Sequence, residues 1–149
     1  MITGTATITI DRPPQQVWAA ITDITRMGDW SPECIAARWA GGATGAALGA
    51  KFEGDNEVRI AGRVAKRWTT TSTITACTPT TRFEFNVEGY TTWSYDLQPV
   101  DGGTRVTEKF QYESKGFKGF VYRRVLLRQR MMRKGMQRTL ARVKAALEQ

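Results

Sequence analysis

At 149 residues, with 41% apolar side chains, the chain is the size of one domain and can bury roughly two-thirds of its unfolded surface, enough for a core without metal or disulfide staples. It contains no histidine, which excludes Ser-His and Cys-His nucleophilic machinery and removes the commonest zinc ligand. The formal charge of +8 is uneven: residues 1–114 carry 11 basic and 13 acidic side chains, a net of −2, whereas residues 115–149 carry 11 basic and one acidic, a net of +10.

No stretch approaches the roughly 20 apolar residues that cross a bilayer. The first residues alternate, with no basic segment before an apolar run, so they read as structure and not as a secretory leader. A cytoplasmic protein is expected. Cys34 and Cys77 lie far apart and form neither metal-ligand spacing nor a redox pair, and they read as small buried or half-buried side chains. Neither a metal nor another cofactor is expected.

Residues 5–10 read as a strand, with Ile8 and Ile10 on one face and threonines on the other. Asp11 or Arg12 is the expected entry residue of a helix opened by Pro13-Pro14, with Val17, Trp18 and Ile21 on its apolar face. A second short helix or turn is expected over residues 23–29, closed by Gly28 and Ser31-Pro32. Six strands follow, over residues 34–40 (around Ile35, Ala37 and Trp39), 50–56 (around Phe52), 64–77 (Val64, Trp68 and Ile74), 82–87, 91–97 and 104–112. Residues 41–49 read as a small-residue loop or a hairpin. Residues 54–62, with Arg59 and Arg63 nearby, read as a charged loop that covers an opening. Asp101-Gly102 supplies the positive dihedrals of a tight hairpin turn. Gly116 and Gly119 punctuate the chain, and residues 120–147 then turn helical, with Val125, Gln129, Met132, Met136, Leu140, Val143 and Leu147 on one face. Such a helix runs roughly 40 Å, so it is expected to lie across the sheet or to bend at Gly135.

The expected class is α+β, in one domain spanning 1–149. A sheet with one apolar face needs a cover, and the last helix is the one element long enough to provide it. The order of elements resembles the START/birch-pollen-allergen (SRPBCC) superfamily, in particular its polyketide cyclase/dehydrase and lipid-transport branch. The resemblance is carried by Pro13-Pro14-Gln15-Gln16-Val17-Trp18, Ile21-Thr22-Asp23, Trp30-Ser31-Pro32, Gly102-Gly103-Thr104-Arg105-Val106-Thr107 and Ala141-Arg142-Val143-Lys144-Ala145-Ala146-Leu147. It implies a helix-grip fold: a seven-stranded curved antiparallel sheet wrapped around the C-terminal helix, two short helices after the first strand, and an internal cavity. It implies no single reaction.

Candidate cavity residues are Trp30, Trp39, Phe52, Trp68, Phe83, Phe85, Trp93, Tyr95, Val106, Glu108, Phe110, Tyr112, Met132 and Met136. Apolar and aromatic walls with a few polar groups are the usual lining of a small-molecule site, although aromatics on a strand face more often simply form a core. Thr70 and Ser72 are further polar candidates. Trp18 reads as packing. Glu108 stands out because its parity puts it on the apolar face, where a lone carboxylate is costly. It reads either as a pocket acid–base group, with Tyr95 and Tyr112 as partners, or as a carboxylate paired with Lys66, Arg59 or a helix arginine, or turned outward by a bulge. The paired or displaced reading is favoured.

The expected function is binding, or transport, of a hydrophobic or aromatic small molecule, lipid- or polyketide-like. The rivals are a cofactor-independent cyclase/dehydratase using the same cavity, and a stress-response or regulatory interaction protein using the basic helix. The run Arg123-Arg124, Arg128, Arg130, Arg133-Lys134, Arg138, Arg142 and Lys144 offers peripheral contact with an anionic membrane, an anionic ligand at the cavity entrance, or else a solvated face. Nucleic acid ranks low as a partner because no base-reading motif accompanies the charge. No feature of the pattern specifies an oligomeric state.

Overall fold

The computed structural model describes residues 2–112 and 122–149, and within the last helix it describes side chains from Gln129 onward. Gly116 and Gly119, and the side chains of Arg123, Arg124, Val125 and Arg128, lie outside the described residues. The elements are β1 (Ile2–Ile10), α1 (Pro14–Thr22), a single 3-10 turn (Ile24–Arg26), α2 (Met27–Trp30), β2 (Cys34–Ala40), β3 (Lys51–Ile60), β4 (Arg63–Thr78), β5 (Arg82–Val87), β6 (Thr91–Val100), β7 (Gly103–Tyr112) and α3 (Tyr122–Leu147). The seven strands form one antiparallel sheet in the order β1-β7-β6-β5-β4-β3-β2. Sequential neighbours pair through short turns, and the chain's first strand closes onto its last. This is the helix-grip arrangement that the sequence resembles.

The strand alternation divides the sheet's faces by chemistry. Phe52, Ile74, Phe83, Phe85, Leu97, Val106 and Phe110 are buried on the inner face. The outer face carries ion pairs: Arg38 with Glu53 and Asp55, and Arg82 with Glu84 and Asp96. Of three register shifts in the sheet, one lies in the β3–β4 hairpin between Val58 and Arg59 and two shift the parity of core-facing strands. One, between Cys34 and Ala36, turns Cys34 inward and leaves Ile35 half exposed, correcting the reading that grouped Ile35 with Ala37 and Trp39. The other, between Ile74 and Ala76, places Cys77 opposite Phe83.

Three further readings are corrected. The N-cap of α1 is Pro13, one or two residues later than expected, because the helix begins only at Pro14. Gly28 lies inside α2 instead of closing it; a Cβ there would stand 2.2 Å from the Ile35 carbonyl oxygen, so glycine lets β2 pass close. Residues 54–62 are not a loop but the end of β3 and a tight turn at Ala61-Gly62, with φ of 52° and 78°.

Helix α3 buries Met132, Met136, Leu140 and Val143, the face that the spacing predicts. Gln129 Nε2 donates to the Thr3 carbonyl and Lys144 Nζ donates to the Thr9 carbonyl, each at 2.8 Å. Six residues of strand and fifteen of helix both span about 20 Å, so α3 runs along β1 instead of across the sheet. It continues unbroken through Gly135. Its exposed side carries Arg130, Arg133, Lys134, Arg138 and Arg142.

The buried side chains form two clusters. The larger joins α1, α2 and the far end of α3 to the middle of the sheet, and includes Trp30, Phe52, Phe83, Phe85, Tyr95, Leu97, Val106 and Leu140. The smaller holds Phe110, Met132 and Met136, with Ile2, Ala6 and Trp93 packed against it.

Candidate functional site

Glu108 lies on β7 between Val106, which belongs to the larger cluster, and Phe110, which belongs to the smaller. Across the sheet it faces Tyr95 on one side and Ala6 on the other. Regular pairing through this stretch keeps the side chain inward, where it is 2% exposed. The favoured sequence reading is therefore corrected. No bulge turns Glu108 out, Arg59 is taken by Glu57, and Lys66 lies over the Trp68 ring at 5.3 Å. Among the described residues, no cation pairs with it.

What meets Glu108 is the Tyr95 hydroxyl, which donates to Oε1 at 2.8 Å. Oε2 is buried and has no hydrogen-bond partner among the described residues. Burial disfavours the charged form and pushes the carboxyl up to about 8, against the opposing pull of the Tyr95 hydrogen bond. Tyr95 is itself raised well above the usual phenol range, by burial and by the neighbouring carboxyl. The pair therefore sits in the interior as a neutral acid and a neutral phenol at pH 7. Such an acid can donate or accept a proton near neutrality without an ion-pair partner.

A second buried polar atom is also without a partner. Trp30, which closes α2, is 6% exposed, and its Nε1 meets no acceptor among the described residues. Arg26 stacks on its ring at 4.5 Å, and Arg142 Nη1 donates to its carbonyl at 3.2 Å. Unpaired buried polar atoms are rare in proteins, and each calls for a physical account. No sequence signal marks this one, since the indole's packing onto α3 is tertiary.

The other candidates fall into groups. Phe52, Phe83 and Phe85 form a contiguous aromatic wall, with ring centroids 5.1 Å apart for Phe52–Phe85 and 5.7 Å for Phe83–Phe85. Trp39 meets Phe52 edge-on, and Trp18 meets Phe83 edge-on, which bears out the packing role read for Trp18. Trp93 lies against Phe110, with ring centroids 5.6 Å apart, and Met132 and Met136 complete that cluster. Tyr112, at the end of β7, pairs across to Thr91 and Ile2, about 13 Å along the strand from Glu108. Ser72 is buried, whereas Thr70 accepts from the Asn56 amide. Trp68 sits half-buried on the β3–β4 hairpin, outside both clusters. By sequence Cys34 reads as a small buried or half-buried side chain, and it is buried. Its thiol is raised to about 11 by burial and donates to the Ala36 carbonyl at 3.3 Å, so it is no nucleophile at neutral pH. The 41–51 connection bounds a wide-open depression of about 750 Å³, lined mostly by glycine and alanine, and carries no comparable chemistry.

Replacing Tyr95 with phenylalanine is expected to cost about 1–3 kcal/mol, because it leaves Glu108 Oε1 unpaired as well. It also removes the one interaction that lowers the Glu108 carboxyl, so the ionisation midpoint moves above 8. A carboxyl titration by carbon NMR checks this, and a midpoint that stays put or falls contradicts it.

The described residues contain no cluster of histidine, cysteine or carboxylate side chains able to hold a metal ion, and no described helix is long and apolar enough to cross a membrane. Comparison with known proteins agrees with the fold. Residues 1–148 match the family described as polyketide cyclase / dehydrase and lipid transport. A polyketide-cyclase-like protein of Corynebacterium glutamicum is 30% identical over 98% of this chain and 91% of its own, with a TM-score of 0.69. An AHSA1-like protein of Aeromonas hydrophila is 19% identical over 97% of this chain and 94% of its own, with a TM-score of 0.67. The di-domain ARO/CYC protein StfQ of the steffimycin biosynthetic pathway is 12% identical over 97% of this chain and 49% of its own, with a TM-score of 0.76. No curated protein matches the chain significantly. With a match over essentially its whole length and a seven-stranded sheet gripping its last helix, the chain belongs to the polyketide cyclase / dehydrase and lipid transport family of the SRPBCC superfamily.

Proposed function

We propose that the chain is a ligand-binding domain that holds a hydrophobic or aromatic small molecule, lipid- or polyketide-like, between the inner sheet face and α3. Glu108 and Tyr95 are its polar contacts. The carrying observation is the carboxyl oxygen Oε2 of Glu108, buried inside an apolar interior with no described partner. A ligand hydroxyl or carbonyl supplies the missing hydrogen bond, and the Phe52–Phe83–Phe85 wall supplies apolar contact. The family's description, which joins cyclisation, dehydration and lipid transport, agrees with a ligand of this class. The two free cysteines fit a reducing compartment such as the cytoplasm.

Native mass spectrometry of protein purified from its own host tests the reading. A mass excess from a nonpolar small molecule is expected, and it is reduced at least tenfold in Glu108→Leu. Absence of any adduct, or equal occupancy in the variant, contradicts the proposal.

A cyclase/dehydratase is the second reading, favoured by one observation: a carboxyl raised to about 8 beside a phenol is poised to shuttle protons at neutral pH. In that case the walls fold a flexible chain into a reactive conformation. Glu108→Gln then abolishes turnover while ligand occupancy remains. The exposed cations of α3 are proposed to meet an anionic surface during ligand exchange.

A further inference from the structure

We propose that the tip of the β3–β4 hairpin is a membrane-docking element that inserts its apex into the surface of an anionic bilayer. The inference stands on features remote from Glu108 and does not depend on the interior ligand.

Glu57 N still donates to the Glu33 carbonyl at 2.9 Å, and from Val58↔Lys66 to Ile60↔Arg63 these two strands pair only with each other. β5 meets β4 from Ser72 onward, and β2 meets β3 no further than Asn56. The ribbon therefore stands about 10 Å clear of the sheet beyond Glu57. The Ala61-Gly62 turn, with both φ angles positive, makes its end narrow.

An isolated two-stranded ribbon in water gains little from apolar residues. Yet Ile60, at the apex, is 68% exposed and Val64 is 38% exposed. Around them, residues 57–68 carry Arg59, Arg63, Lys66 and Arg67 against Glu57 alone, a net of +3. Glu57 bonds Arg59 at 2.5 Å and Arg67 at 3.1 Å. Arg63 and Lys66 have no acidic partner among the described residues. Ile60 pairs with Arg63 and Val64 with Arg59, so each aliphatic group at the point stands beside a cation, a pairing that suits a bilayer surface, where the aliphatic group and the arginine stem meet acyl chains while the guanidinium reaches up to phosphates. Nucleic acid would instead meet the cations and leave the exposed Ile60 and Val64 against phosphates, with no apolar surface to cover them. Pairing with a second copy is opposed by the cations along the free stretch of β4.

The tip projects beyond the Val87 end of β5, the end of the sheet where Thr91, Tyr112 and Ile2 align. Gln129 ties α3 to Thr3 at that end. The exposed Arg130, Arg133 and Lys134 of α3 therefore stand there too, and the two basic features can approach one membrane together.

Co-sedimentation at low salt, with phosphatidylcholine vesicles with and without about a quarter phosphatidylglycerol, tests the proposal. Binding to the anionic vesicles is expected. Ile60→Asp and the milder Ile60→Ser are each expected to weaken it, the former at least tenfold. Arg63→Glu/Lys66→Glu removes two cations, each contributing about fivefold, and weakens binding by at least 25-fold. All three variants leave the core untouched, and circular dichroism confirms that they fold. Glu108→Leu keeps full vesicle binding, which separates this result from failure of the interior site. The proposal is overturned if the unmodified chain ignores anionic vesicles, if both Ile60 variants bind as well as it does, or if the Arg63 and Lys66 cations serve a DNA duplex and not vesicles.

Discussion

Glu108→Gln is expected to stabilise the protein, and increasingly so as pH rises. In the unfolded chain this carboxyl ionises near 4.5, whereas in the folded protein it keeps its proton up to about pH 8. Between those values the folded state binds one proton more than the unfolded state. Stability therefore falls as pH rises through the window, by about 1.4 kcal/mol per unit and about 5 kcal/mol in all. The contribution is fully present below pH 4.5 and lost above 8. Glutamine has no proton to lose, and its amide oxygen still accepts from the Tyr95 hydroxyl. Any fixed cost of the amide hydrogens shifts the whole curve without changing its slope. Thermal melts from pH 4 to 9 check this. The Tm difference between variant and parent should grow by about 10 °C or more across the series. A difference that stays constant between pH 4.5 and 8 contradicts a buried, proton-holding Glu108.

The second large effect concerns the seat of α3. Gly4 faces inward on β1 beneath the Phe110 ring, and a Cβ there would stand 2.3 Å from Phe110 Cε1. That ring is fully buried and carries Met132 and Met136 of α3. Gly4→Ala must displace the ring into a filled cluster, at a cost of about 3 kcal/mol. Phe110→Ala leaves a cavity under the helix and costs about 4 kcal/mol. The two costs do not add. Once the ring is gone, the alanine at position 4 has room, so Gly4→Ala in the Phe110→Ala background should cost less than 1 kcal/mol. A double-mutant cycle by urea unfolding measures the coupling. Additive costs would place the Phe110 ring somewhere other than over Gly4.

These two residues show what the sequence makes legible. Strand alternation alone puts Glu108 between Val106 and Phe110, and the register then brings Tyr95 opposite it. The helix face of Met132, Met136, Leu140 and Val143 follows from spacing alone. Features that depend on a parity shift or on tertiary contact are hidden. Cys34 turns inward only because of a one-residue bulge, which no local composition announces. The end of β3 reads as a loop because beyond Glu57 both of its faces meet water, so charged and apolar residues lose the alternation that burial imposes. The direction of α3 is set by its bonds to Thr3 and Thr9, which join positions more than a hundred residues apart. The unpaired Trp30 Nε1 is likewise a consequence of packing.

The sequence points to a cationic partner for Glu108 for a physical reason. A buried carboxylate ordinarily calls for a cation, and the chain is rich in them. The protein instead keeps the group neutral. A proton on the carboxyl and a phenol at 2.8 Å avoid the desolvation of two opposite charges, a penalty their mutual attraction often fails to offset. A neutral acid is also the better companion for an uncharged ligand, since it can donate to a carbonyl or accept from a hydroxyl.

The most direct measurement is the titration of Glu108 itself. Carbon NMR of selectively labelled glutamate, with Glu108→Gln to identify its resonance, should show the Glu108 carboxyl ionising near pH 8, far above the ordinary glutamate range near 4.5. A Glu108 midpoint in that lower range would mean that the carboxylate meets water or a cation, and would contradict the buried Glu108–Tyr95 site on which the functional reading rests.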